Sequence, residues 1–179
     1  AYTYDDFIHQ DIPAVCRALR KRYPDLPLIW IGHSLSGHAA VAALSCDPSL
    51  PVDALVSLAG NVWIKELEPG RWMWFLKRTL SESWMAVSRL SGRFPTRFLR
   101  MGTDDEALDY VRQMTGFSRS GTWGSLDGRW NYLERMRQIR VPILSLVGEA
   151  DTWMCRPESP RFWLAHAANA DVSHRLVGE

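Results

Sequence analysis

The chain has 179 residues, 46% of them hydrophobic and 23% charged, with a net charge of +1. That composition can fill the core of one compact domain, it excludes a disordered chain, and its charge gives no electrostatic case for nucleic acid. No run approaches the roughly 18–20 apolar residues of a membrane span, and no basic-then-apolar leader opens the sequence.

Thr3 with Asp6 three residues later is a capping signal. Ile8, Ile12, Val15 and Leu19 follow at helical spacing to about Arg22. Pro13 inside that run predicts a kink or a split. Leu28-Ile29-Trp30-Ile31 is too short for a helix and rich in strand formers, which predicts a buried parallel strand. Residues 32–37 form a turn, 39–44 a small-residue helix, and 52–59 a second buried strand.

From Asn61 to about Ile139 the texture changes, and six of the nine tryptophans fall there. Helices are predicted at 71–90 and 104–115, the second with Thr103 as N-cap and Glu106 three residues on. Residues 116–128 read as a loop. The strand pattern resumes at 142–147, followed by a helix over 158–168 and a last strand over 172–177. This alternation predicts an α/β chain with a parallel sheet flanked by helices. The organisation expected is a core segment over 1–60, a helical cap insertion over 61–139 and a second core segment over 140–179. The insertion holds thirteen basic residues against nine acidic ones. Such an excess suits an anionic substrate, or simply a solvated surface.

Gly32-His33-Ser34-Leu35-Ser36-Gly37 joins a strand to a helix with Ser34 at the apex. A turn that sharp needs small residues two places to either side of the apex, and Gly32 and Ser36 are both small. The N–H of Leu35, at the start of the helix, is placed to stabilise a developing oxyanion. The plainer alternative is an ordinary turn whose serine only caps the helix. Asp151, just past a strand, lies on the edge where open α/β sheets put their sites, and there it can orient a histidine. Its plainer role is to cap the next turn, and Glu149 is the alternative carboxylate.

These residues resemble the α/β-hydrolases. Gly32 to Gly37 resembles the GHSxGG elbow of lipases, esterases and serine aminopeptidase-like hydrolases, with Ser36 where that pattern has glycine. Tyr4-Asp5-Asp6 through Asp11 resembles the helix before the elbow, and Val141 to Asp151 resembles the later strand that ends on the acid. The resemblance implies a partial α/β-hydrolase fold and a Ser–His–Asp triad with Ser34 as nucleophile and Asp151 as acid. It places the histidine in the loop after the last strand. His174 is the nearest candidate in the chain, yet it sits inside the predicted strand. The base is therefore expected beyond the C-terminus, and the strands that precede the elbow helix in this family are expected upstream, so the chain reads as a fragment.

The function expected is serine hydrolysis of a small-molecule carboxylic ester, thioester or amide, with no cofactor and no metal. A non-catalytic binding or scaffold protein on the same fold is the rival, and other chemistry on this scaffold is a third possibility. Cys16, Cys46 and Cys155 are odd in number and scattered. They match neither a disulfide framework nor a metal site, which points to a reducing, cytoplasmic setting. The sequence assigns neither the substrate nor the oligomeric state.

Overall fold

The computed structural model describes residues 2–68 and 70–178. In chain order it runs α1 (Tyr4–Asp6), a π-helical turn (Phe7–Asp11), α2 (Ile12–Arg22), β1 (Ile29–His33), α3 (Leu35–Cys46) and β2 (Ala54–Leu58). After a short 3₁₀ turn (Lys65–Leu67) come α4 (Arg71–Ser91), β3 (Arg93–Phe94), β4 (Glu106–Ala107), α5 (Leu108–Ser120) and α6 (Tyr132–Arg135). A second 3₁₀ turn (Met136–Gln138), β5 (Ile143–Gly148), α7 (Ser159–Leu164) and β6 (Val172–Val177) complete it. Among the described residues no helix is long and apolar enough to cross a membrane.

The chain divides into two compact units. The sheet unit comprises Phe7–Val62 and the segment from Trp123 onward. Its four strands run parallel in the order β1-β2-β5-β6, flanked by helices. The fold is thus α/β, as the alternation of strand and helix patterns implies. Pro13 falls in the first turn of α2, where its missing N–H costs nothing, and the π-helical turn absorbs the break before it. The continuous helix pattern from Thr3 to Arg22 is accordingly split.

The small residues of α3 let the helix sink into the fold, and Gly37 to Ser45 are buried all round. Behind it, Trp123 meets Trp163 edge-to-face at 5.9 Å and Tyr132 at 5.7 Å. His38 stands 6.1 Å from Trp123 in the same cluster, and burial pushes its imidazole down to about 3. His38 therefore stays neutral in the fold while the unfolded chain takes up a proton near pH 6.5. Stability is full above that value and falls as pH drops toward 3, by about 1.4 kcal/mol per unit. Urea titrations at pH 7.5 and pH 5 should show a loss of roughly 2 kcal/mol that shrinks in His38→Gln. An equal loss in both proteins would show that other groups carry the acid sensitivity.

β1 is the outer strand of the sheet among the described residues, and Ile29 and Ile31 stand exposed where the apolar run predicts burial. β2 and β5 lie inside and hide alternate residues.

The second unit comprises the residues up to Asp6 and Trp63–Thr122. α4 and α5 pack together over Met85, Phe94 and Val111. At the chain's start Thr3 and Asp6 cap each other reciprocally. Tyr4 meets Phe117 edge-to-face at 5.4 Å, and Asp5 bonds Gln113. The helix predicted at 104–115 begins four residues later than the cap pattern at Thr103 implies. Glu106 and Ala107 instead pair antiparallel with Phe94 and Arg93, and Ala107 becomes the N-cap. α5 then runs through Gly116 and stops at Gly121, whose φ of 72° ends it in the left-handed region. The expected insertion is also divided: Trp123, Tyr132, Met136 and Ile139 are buried within the sheet unit.

Candidate active site

Ser34 occupies the break between β1 and α3, with φ 50° and ψ −114°. An L-residue enters that region only when its surroundings enforce it, at a cost of order 1–3 kcal/mol. Three contacts enforce it here. The Ser34 N–H continues the sheet ladder to the Leu58 carbonyl at 2.8 Å. The Ser34 carbonyl accepts from the N–H groups of Gly37 at 3.1 Å and His38 at 3.3 Å. The chain therefore leaves the strand and enters the helix within one residue, and Ser34 is left exposed at the carboxyl edge of the sheet. Its side chain does not cap α3. The first N–H groups of a helix lack partners within it, and that of Leu35 is the first of them.

The tight packing of the elbow falls on different residues from those its pattern suggests. A Cβ on Gly32 would lie 2.6 Å from the Ser36 carbonyl group and the Gly37 nitrogen. A Cβ on Gly37 would lie 2.8 Å from Ser57 Oγ and 2.9 Å from the Gly32 carbonyl oxygen. Ser36 itself lies in the helix without a positive φ, so its side chain is accommodated. The need for a second glycine has moved one place, to the residue whose backbone meets β2. Gly32→Ala should cost about 1–3 kcal/mol, since three backbone atoms would have to move. A urea midpoint equal to that of the parent would refute the packing argument.

Asp151 follows β5 on the same carboxyl edge, two strands from Ser34 in the sheet order, or roughly 10 Å at ordinary strand spacing. Its carboxylate accepts the N–H groups of Trp153 at 3.2 Å, Met154 at 2.9 Å and Cys155 at 3.1 Å. These bonds fix the carboxylate and fill three of the roughly four acceptor positions of its two oxygens. Glu149 is exposed, with its carboxylate toward Gly178 beyond β6.

His174 lies elsewhere. The register aligns Gly32, Ser57, Ser145 and His174 in one row across the sheet. Three strand spacings of about 4.8 Å put His174 roughly 14 Å from Gly32, and Ser34 is two residues further along its strand. That separation is far beyond hydrogen-bond reach. Burial and nearby Arg161 lower the His174 imidazole below its ordinary value. The other histidines are dispersed. His9 faces Trp130 at 5.5 Å and Tyr132, His38 is buried within α3, and His33 and His166 are exposed. The structure thus brings Ser34, the Leu35 N–H and Asp151 to one edge and leaves His174 off it.

Several supporting residues escape sequence reading. Ala59, the first residue past β2, holds φ 49° between the two site loops while its N–H continues the ladder to Leu146. The Gly60 carbonyl accepts from Trp163 Nε1 at 3.1 Å and from Cys155 Sγ. Asn61 Nδ2 donates to the Met154 carbonyl at 3.0 Å. The loop after β2 is thereby stitched to the loop that carries Asp151. The only signal for this in the sequence is Gly60-Asn61 directly after a strand, which reads as a turn and nothing more. Among the described residues no group of three or more His, Cys, Asp or Glu could hold a metal ion.

The profile of the family described as serine aminopeptidase, S33, matches residues 3–178. Among solved structures, a Paleococcus ferrophilus monoacylglycerol lipase is 12% identical with a TM-score of 0.57, over 99% of this chain and 66% of that one. MenH from S. aureus is 15% identical with a TM-score of 0.56, over 98% and 66%. The esterase domain of a Rhodothermus marinus protein is 18% identical with a TM-score of 0.50, over 95% and 57%. The chain therefore spans 57–66% of the length of these three structures, and at these identities the likeness is one of fold. No curated protein matches it.

Proposed function

The chain belongs to the serine aminopeptidase S33 family, within the α/β-hydrolases, and from that premise we propose that it contributes the nucleophile and acid of a serine hydrolase acting on a small carboxylic ester, thioester or amide. The observation that carries the reading is the backbone of Ser34, φ 50° and ψ −114° at the carboxyl edge of a parallel sheet. A residue that serves only as a helix cap has no need of that conformation.

In this reading Ser34 Oγ attacks the substrate carbonyl as a histidine removes its proton. The Leu35 N–H stabilises the oxyanion. The leaving group departs with the proton, and water attacks the acyl-enzyme to release the acid and restore Ser34. Asp151, held by three backbone N–H groups, keeps one acceptor position for the histidine's Nδ1–H. His174 lies three strands from Ser34, and in this reading the base is supplied from outside residues 2–178. The ester preference draws on the lipase and esterase named among the similar structures. The odd number and scatter of Cys16, Cys46 and Cys155 favour a reducing, cytoplasmic setting.

A fluorophosphonate probe tests the reading, applied to the polypeptide that includes the base. Covalent label on the peptide containing Ser34 is the expected result. The second reading, a non-catalytic binding module, is favoured by the placement of the histidines, and an unlabelled Ser34 in a folded protein would select it.

A further inference from the structure

Residues 86–102 hold four arginines, Arg89, Arg93, Arg97 and Arg100, and no carboxylate. The second half of this stretch is a tight loop between β3 and β4. Leu99 N–H donates to the Pro95 carbonyl at 3.0 Å, Arg100 N–H to Arg97 at 3.2 Å and Met101 N–H to Thr96 at 2.8 Å. Its root is anchored by Phe94, which is buried against Trp84 at a centroid distance of 5.4 Å. Its crown is the reverse of a core: Phe98 is 84% exposed, and Leu99 and Met101 are exposed beside it. Five residues before the loop, Leu90 at the end of α4 is 91% exposed. Arg93 pairs with Asp105 at 3.0 Å, whereas Arg97 and Arg100 make no ion pair among the described residues. Arg100 is held with φ 55°. The loop thus keeps Phe98 and Leu99 between the guanidinium groups of Arg97 and Arg100, with Met101 exposed just after them.

We propose that the loop over residues 95–101 docks on an anionic lipid surface, with Phe98, Leu99 and Met101 entering the headgroup–acyl boundary and Arg97 and Arg100 on lipid phosphates. Of the four charged residues between β3 and β4, Asp105 is paired with Arg93, which leaves Arg97 and Arg100 against Asp104 alone, and basic groups beside apolar ones are the composition of interfacial binders. Nucleic acid would use the arginines but gain nothing from Leu99 and Met101. A protein partner of this loop would need a cleft to receive Phe98, which stands almost free of its own fold, whereas a bilayer receives it without one. The contact is peripheral and does not depend on the hydrolase reading.

Co-sedimentation of the full chain with phosphatidylcholine–phosphatidylserine vesicles, two to one, tests it against phosphatidylcholine alone. The chain should pellet with the mixed vesicles and not with the neutral ones, and salt should weaken the binding. Arg97→Gln with Arg100→Gln should reduce partitioning roughly 25- to 30-fold, about fivefold for each charge. Phe98→Ser with Leu99→Ser should reduce it by roughly tenfold or more. All four positions are exposed, and unchanged far-UV circular dichroism would show that the fold is kept. Failure of the parent chain to pellet, or equal pelleting of all variants, overturns the proposal. Loss with the arginine pair but none with the apolar pair overturns it too, because that pattern describes a general polyanion site.

Discussion

Ser34→Ala is expected to lower ester turnover by roughly three orders of magnitude or more in the polypeptide that includes the base, with folding intact. The residual rate would come from the oxyanion donor and substrate binding. The backbone at Ser34 supplies a control that separates chemistry from structure. Alanine keeps a Cβ and inherits the strain of φ 50°, so its stability should match the parent's. Ser34→Gly relieves that strain and should raise stability by about 1 kcal/mol while being equally inactive. Activity and stability then move in opposite directions at one position, as expected where strain is kept for function. His174→Ala should leave turnover unchanged, since His174 lies three strands away. Near-parental turnover in Ser34→Ala would remove Ser34 from the mechanism, and a collapse in His174→Ala would reinstate His174 as the base.

What the sequence discloses depends on how local the cause is. The strand over 172–177 and the helix from Arg71 to the end of α4 are legible because period and propensity act within each segment. The elbow is legible for the same reason: strand, apex and helix are consecutive residues. Thr103 misleads because Glu106 pairs across a hairpin with Phe94, a contact that no local cap pattern contains. The shift of the crowded position from Ser36 to Gly37 depends on Ser57, twenty residues on, whose Oγ has no partner among the described residues. Ala59 reads as the end of an apolar strand, and its positive φ follows from the ladder to Leu146 beyond it. The exposure of Ile29 and Ile31 likewise depends on which strands lie beside β1, and a run of apolar letters carries no such information.

The largest stability effect is expected at a residue the sequence presents as ordinary. Lys77 sits among Trp74, Phe75, Leu76 and Arg78 on α4 and reads as one more solvated charge. In the structure it is fully buried, its ammonium 2.5 Å from Glu68 Oε2 and 5.4 Å from the centre of the Trp63 ring, which stacks on Trp84. Glu68 is buried as well, and its Oε1 has no partner among the described residues. Both charges have left water, and their attraction in the interior offsets a desolvation cost of several kcal/mol per ion. Removing one partner strands the other. Lys77→Met should therefore destabilise by about 3–5 kcal/mol, although methionine matches the lysine stem in length and suits a helix. Glu68→Leu should cost a similar amount, since it leaves a buried ammonium against the Trp63 face without its carboxylate. The double variant should recover most of the loss, because no charge then remains in the apolar site. Urea unfolding of the four proteins gives the coupling directly. If each single variant loses less than about 1 kcal/mol, or if the double loses the sum of both, the pair is screened by water and the burial of Lys77 does not govern stability.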